Sequence, residues 1–244
     1  MVLIISAMDA EAEEVNSIIE NRQELALDGY LGNKKIHKGN ISGYEVISLT
    51  TGIGKVNAAT WVSYVISKYK INRIINSGTA GGIREDSNLS IKDIVVSSEV
   101  AFHDFDLTKF GHKIGQVPGL PQKFKSDEVM LRKSVKVIED KIKDVSAHIG
   151  LILTGDQFIG DKNQLEAIKS NFPDALAVEM EGAAIAQVAH TFGIPFIITR
   201  SISDLPNTKD NHIDFDKFLK IASVNSARMV KELVGLIEED QHDK

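Results

Sequence analysis

The sequence predicts an α/β fold: a single domain with a central mixed, mostly parallel β-sheet flanked by α-helices. Three observations point there. Apolar runs of strand length recur along the 244 residues and alternate with segments of helical periodicity. Glycine-rich turns stand between strand and helix at Thr50–Gly54 and after the run at Arg73–Asn76. Two consecutive strand-like runs end in acids: Leu176–Val178 leads into Glu179 and Glu181, and Phe196–Ile202 leads into Asp204. Ligands of open α/β sheets bind at the carboxyl ends of strands, so these acids mark a candidate site.

Hydrophobic residues make up 43% and charged residues 25%, ordinary values for a chain that buries a sizeable core. The net charge of −6 disfavours nucleic-acid binding, which usually needs a basic face. The absence of cysteine excludes disulfides and thiolate metal sites. Met1–Ser6 is a strand-length apolar run without a basic leader, so no signal peptide is expected. No apolar run approaches the ~20 residues of a membrane helix. A cytoplasmic protein follows, without membrane or nucleic-acid partners. No repeat or linker divides the chain, and residues 1–244 are expected to form one domain.

Taken in order, Val2–Ile5 suits a strand buried on both faces. Asp9 opens a helix in which Ala12, Val15 and Ile19 share a face and Glu11 borders it. Its acids also complement the positive end of the helix dipole, and spacing alone favours that role for Glu11. Lys34–Lys38 and Tyr44–Leu49 read as two strands. The turn that follows lacks the Gly-Lys-Ser/Thr ending of a phosphate loop and the third glycine of a dinucleotide fingerprint. A tight turn and a ligand contact remain equally open there. The helix Lys55–Tyr69 is expected to turn Val56, Ala59, Val62, Ser63 and Ile66 inward.

Arg73–Asn76 reads as a short strand, and Ser77–Gly82 as small residues that leave room for a flat ligand or form a flexible turn. Ile91–Ala101 is strand-like. The irregular segment Phe102–Pro121 has a length usually reserved for function or interfaces. His103, Asp104 and Asp106 within it lack a second histidine at ligand spacing, so no metal is expected. Asp127–Lys143 should be a helix with Leu131, Val135, Ile138 and Ile142 inside, and His148–Thr154 a strand with Phe158 and Ile159 just beyond its end. Lys162–Ser170 is a short helix. Gly182, Ala183, Ala184 and Ala186 suit a helix packed close to a sheet, with Gly193 after its end and Pro195 blocking continuation. A last helix begins near Asp214 and buries Phe215, Phe218, Leu219, Ala222, Met229, Leu233 and Leu236.

The ligand candidates all follow strand ends: Ala7-Met8, Gly52-Ile53, Gly78-Thr79, Phe158, Glu179-Met-Glu181 and Asp204. Here the sequence resembles the bacterial 5′-methylthioadenosine/S-adenosylhomocysteine nucleosidases of the nucleoside phosphorylase family. The motifs are Ala7-Met8-x-x-Glu11, Gly52-Ile-Gly-Lys-Val-x-Ala-Ala59, Gly78-Thr-Ala-Gly-Gly82, His103-Asp-x-Asp-x-Thr108-x-Phe-Gly111 and Gly115-Gln-x-Pro118-Gly. They continue with Gly155-Asp-x-Phe-Ile159, Val178-Glu-Met-Glu-x-x-Ala184 and Arg200-x-Ile-Ser-Asp204, and so cover almost the whole chain.

The resemblance implies hydrolysis of the adenine–ribose bond of methylthioadenosine and adenosylhomocysteine, with 5′-deoxyadenosine as a further substrate, in methionine salvage and the activated methyl cycle. It implies no cofactor and no metal. Asp204 would be the general acid that supports protonation at adenine N7, with a raised pKa, and Ser203 would orient it. Glu11 would position and deprotonate the attacking water. Glu181 would hold the ribose hydroxyls and the positive charge that builds on the sugar, as in two-carboxylate glycoside hydrolysis. Met180 packs beneath the sugar, and Phe158 and Ile159 frame the adenine. Met8, Ile53, Thr79, Ala80, Gly81, Glu179 and Phe215 complete the substrate contacts. Leu107, Phe110 and Pro118 would cover the 5′-alkylthio group in a neighbouring subunit's site, which implies a homodimer.

One departure is the Asp-Ala-Glu that follows Met8, where many members have three acids. Glu11 keeps its distance from Met8. The first rival is a purine nucleoside phosphorylase, which attacks with phosphate. The segment before Gly78 carries no arginine at the turn, and Glu11 would repel an anion. The second rival is a nucleoside-binding protein without turnover, against which the intact set of acids argues.

Overall fold

The computed structural model describes residues 1–25, 35–83, 88–205 and 211–242, without the side chains of residues 211–217 and 238–242. Ten strands and six α-helices alternate among the described residues. They run β1 (Val2–Ser6), α1 (Asp9–Ser17), β2 (Glu20–Glu24), β3 (Ile36–Ile41), β4 (Tyr44–Thr50), α2 (Lys55–Lys68), β5 (Arg73–Gly82) and β6 (Ile94–Phe102). After a 3-10 turn at Thr108–Phe110 come β7 (Phe124–Lys125), α3 (Glu128–Lys141), β8 (Ala147–Thr154), α4 (Lys162–Asn171), β9 (Ala175–Glu179), α5 (Gly182–Phe192), β10 (Phe196–Asp204) and α6 (Asn211–His242).

The strands form one mixed sheet in the order β10-β6-β8-β9-β5-β1-β4-β3-β2, with β7 beside β6. The central pairings β4–β1, β1–β5, β5–β10, β6–β8 and β8–β9 are parallel. The pivot is β5. One of its edges pairs with β10 from Ile74 to Gly81. The other pairs with β1 over Arg73–Asn76, then with β9 at Gly81 and Gly82. The path β5-β9-β8-β6-β10 therefore closes on itself, and β1, β4, β3 and β2 extend from it as an open wing.

The alternation along each strand feeds two cores. Leu3 and Ile5 face the α2 and α5 side with Ile74, Trp61 and Ile198. Val2 and Ile4 face the opposite layer with Val15, Ile75, Met130 and Leu233. These four apolar residues of β1 are fully buried, as the continuous apolar run predicts. A third cluster packs α4 against β8 and β9 through Leu165, Ile168, Leu151, Leu153 and Val178. Asp127 caps α3 by accepting from Met130 N at 2.9 Å, and Asp161 caps α4 by accepting from Asn163 N at 2.8 Å. Gly193 closes α5 in the left-handed conformation, φ +65°.

Several elements differ from the sequence reading. The polar edge strand β2, Glu-Asn-Arg-Gln-Glu, is exposed throughout and has no apolar alternation to reveal it. Ser77–Gly82 is not a turn but the second half of β5. The buried stripe of α2 is Ala58, Trp61, Val62 and Val65, whereas Val56 is 77% exposed. In α3 the buried residues are Met130, Ser134, Val137 and Ile138, one position off the expected row at Leu131 and Val135. The α6 stripe of Ala222, Met229 and Leu233 is buried, while Phe218, Leu219 and Leu236 are half-buried.

Candidate active site

A cavity of about 520 Å³ opens at the carboxyl ends of β1, β5, β8, β9 and β10. That is an ordinary size for a site that takes a small molecule. Met8, Glu11, Ile53, Thr79, Ala80, Gly81, Phe158, Glu179, Met180, Glu181, Ser203 and Asp204 all line it. Ile159 lines a smaller pocket that shares Phe158, Met180 and Asp204 with the main cavity. The side chain of Phe215 lies outside the described residues. Leu107, Phe110 and Pro118 do not line this chain's cavity, and Phe110 is 79% exposed.

Glu11 is buried in the first turn of α1. Its Oε2 accepts from the N–H groups of Ala7 and Met8 at 3.1 and 3.2 Å. Its Oε1 accepts from the N–H and hydroxyl of Thr79 at 2.9 and 3.1 Å. Bonding back to Met8, the residue before the helix, is the role of an acid at the third helical position. The helix start thus fixes the carboxylate that also faces the cavity.

Glu179 and Glu181 are both buried, yet their surroundings differ. Glu179 accepts from Arg200 Nη2 at 2.5 Å, from the N–H groups of Glu181 and Gly182, and from the Thr154 hydroxyl. Arg200, 2% exposed, also donates to Asn76 Oδ1 at 2.6 Å. Glu181 accepts from Gly54 N at 2.8 Å. Burial first, and then the Glu179 charge, push the Glu181 carboxyl up to about 7, against the pull of Arg200 and the Gly54 N–H.

Asp204, 4% exposed, ends β10. Its Oδ1 accepts from the Ser203 hydroxyl at 2.8 Å, and that hydroxyl also lies 3.2 Å from the Ala80 carbonyl.

The small residues of β5 have a definite purpose. A Cβ on Gly78 would stand 2.9 Å from Glu11 Oε1, and one on Gly81 would stand 3.1 Å from Asp204 Oδ2. A Cβ on Gly182 would meet Glu179 Oε1 at 3.0 Å. These glycines clear space for the protein's own carboxylates. Phe158, just beyond the end of β8, is 55% exposed and borders the cavity.

The sequence reading gave no role to Asp156, Gln157 and Val178, which also line the cavity. It likewise passed over Arg200, the partner of Glu179. Asp156 belongs to the Gly155–Ile159 motif and Arg200 to the Arg200–Asp204 motif, and an arginine within an apolar strand is the signal that marks the latter. His103 packs behind Gly155, where its Nε2 is buried without a partner and burial lowers its pKa. Among the described residues no group of three or more acids and histidines could hold a metal ion, and no helix is long and apolar enough to cross a membrane.

A partly closed α/β sheet with buried acids around a cavity at the carboxyl ends of its strands is the arrangement of an enzyme that acts on a small molecule. The family model described as the phosphorylase superfamily matches residues 1–235. A relative from an Exiguobacterium species is 42% identical over 97% of this chain and 98% of its own, and bears the name 5′-methylthioadenosine/S-adenosylhomocysteine nucleosidase. A crystal structure from Borrelia burgdorferi given the same name, bound to adenine, is 68% identical over 97% of this chain and all of its own, with TM-score 0.93. Another of that name from Neisseria meningitidis, in complex with methylthio-immucillin-A, is 37% identical over 96% of this chain and 98% of its own, with TM-score 0.88. The chain belongs to the phosphorylase superfamily and, within it, to the 5′-methylthioadenosine/S-adenosylhomocysteine nucleosidases.

Proposed function

We propose that this protein hydrolyses the N-glycosidic bond of 5′-methylthioadenosine and S-adenosylhomocysteine, and of 5′-deoxyadenosine, to adenine and the 5-substituted ribose. The observation that carries this reading is the charge of the cavity. Among the described residues lining it are Glu11, Asp156, Glu179, Glu181 and Asp204, and no lysine or arginine. A phosphate nucleophile would meet carboxylates where it needs cations or a nest of amides. Water meets acceptors that can orient it and take its proton.

In this reading Asp204 supports protonation of the purine at N7 as the bond breaks, with Ser203 fixing its orientation. Glu11, pinned on both oxygens, takes a proton from the attacking water. Glu181 binds the ribose hydroxyls and stabilises the cationic sugar of the transition state. Met180 and Phe158 supply apolar contact with sugar and base. The names of the relatives support the substrate class, and the common placement of the three acids supports the assignment of roles.

We also propose a cytoplasmic homodimer in which Leu107, Phe110 and Pro118 cover the 5′ end of the partner subunit's substrate. The exposure of Phe110, with that of Ile53 and Val56 near the cavity mouth, supports an interface there. Adenine release from methylthioadenosine and adenosylhomocysteine in phosphate-free buffer tests the activity. Steady adenine formation is expected, and its absence would end the reading.

A further inference from the structure

Three loops meet at the mouth of the cavity through one lysine. Lys55 Nζ donates to both carboxylate oxygens of Asp104, at 2.7 and 2.6 Å, and lies 3.7 Å from Asp156 Oδ2. The Lys55 backbone N–H donates to Asp156 Oδ1 at 2.8 Å. The Asp156 N–H in turn donates to Asp104 Oδ2 at 2.9 Å. The ammonium also stands 5.6 Å from the centre of the Phe102 ring. The start of α2, the segment after β6 and the loop after β8 are thus joined in one ring of bonds. The Lys55 and Asp104 side chains are only 23% and 18% exposed, so solvent screens the pair incompletely. Burial pushes Asp104 up, but its bonds to Lys55 and the Asp156 N–H outweigh it and hold the carboxyl below its ordinary range.

The residue before Lys55 is the donor to Glu181. Gly54 has φ +99°, and a Cβ there would stand 3.2 Å from Asp156 Oδ1. Its N–H reaches Glu181 Oε1 at 2.8 Å. Around Glu181, Glu179 from β9 and Glu11 from α1 oppose ionisation, as does burial. Arg200 from β10 and the Gly54 N–H favour it.

We propose that Lys55, Asp104 and Asp156 are positioning residues whose ring of bonds aims the Gly54 N–H at Glu181 and so holds that carboxylate ready for the sugar. The kinetic consequence rests on the hydrolase reading above, while the placement of Gly54 does not. The ring also anchors the start of the segment that carries Leu107 and Phe110, so the same bonds steady the part of the chain assigned to the partner's substrate.

The test compares wild type with Lys55→Met, Asp104→Asn and the conservative Lys55→Arg. Lys38→Met, which breaks the exposed pair with Glu45 at 2.9 Å, serves as control. Amide hydrogen exchange at Gly54, followed by NMR on the ligand-free protein, needs no turnover. It should quicken by about 10-fold or more in Lys55→Met and Asp104→Asn, return towards wild type in Lys55→Arg, and stay unchanged in Lys38→Met. In kinetics with methylthioadenosine the acid limb of kcat/KM should move to higher pH, and KM should rise more than kcat falls. Unchanged Gly54 exchange and an unmoved acid limb, in variants that melt like wild type, would overturn the proposal. Quickened exchange in a protein that releases no adenine would support the ring and overturn the hydrolase reading instead.

Discussion

Glu11 and Thr79, 68 positions apart, are joined by two hydrogen bonds to a single carboxylate oxygen, from the Thr79 N–H at 2.9 Å and its hydroxyl at 3.1 Å. The adjacent Gly78 leaves the space that this contact needs. Gly78→Ala should therefore act on function more than on folding. The new methyl meets the end of a side chain rather than backbone, and it displaces the pinned Glu11 carboxylate from its place. We expect a melting temperature within a few degrees of wild type and turnover lowered by about 10-fold or more, because small misplacements of a catalytic group are costly. Thermal melting and steady-state adenine release check both halves.

Asp204 and Ser203 should separate cleanly. Asp204→Asn removes the acid and should lower turnover by about 10²–10⁴-fold. Ser203→Ala removes only the donor at 2.8 Å and should cost less, with the acid still in place. Glu11→Gln should fall in the same range as Asp204→Asn. A near-normal rate in either acid variant would remove that residue from its role.

How legible this site was in the sequence depended on where each residue sits along its strand. Glu179, Glu181 and Asp204 follow apolar runs, so strand ends could be found and acids placed on one rim. Glu11 looked like a dipole partner, and it does bond back to its own helix start, so the local role hid the second one. The polar strand β2 escaped because an exposed edge needs no apolar alternation. The α2 register failed because apolar residues lie on both faces of that helix, with Val56 exposed and Val62 buried. Arg200 escaped because its meaning depends on Glu179 and Asn76, which only the folded sheet brings to it. The closure of β5 onto β10 and β9 has no local signature at all.

Glu181 should make folding stability sensitive to pH. Its folded pKa is raised to about 7 from an ordinary value of 4.5. Between those values the folded protein holds a proton that the unfolded chain has lost, so stability falls as pH rises through that window. Glu181→Gln removes this cost. The stability difference between the variant and wild type should grow between pH 5 and pH 8, by on the order of 1–3 kcal/mol in favour of the variant. The same change should weaken both substrate binding and turnover. Denaturant unfolding at the two pH values decides it, and a constant difference would contradict the assignment.

Arg200 carries the opposite expectation. Its side chain is 2% exposed and that of Glu179 is 3% exposed. Arg200→Met would leave Glu179 buried without its cation, which commonly costs about 3–5 kcal/mol. Denaturant unfolding of that variant should show a loss of this order, larger than for any exposed pair.

The nature of the nucleophile tests the account most directly. Wild-type protein should be given methylthioadenosine in excess inorganic phosphate, and the sugar product identified by mass spectrometry. The acidic cavity predicts adenine with free 5-methylthioribose, at a rate that phosphate does not raise. A 5-methylthioribose 1-phosphate product, formed only when phosphate is present, would contradict it.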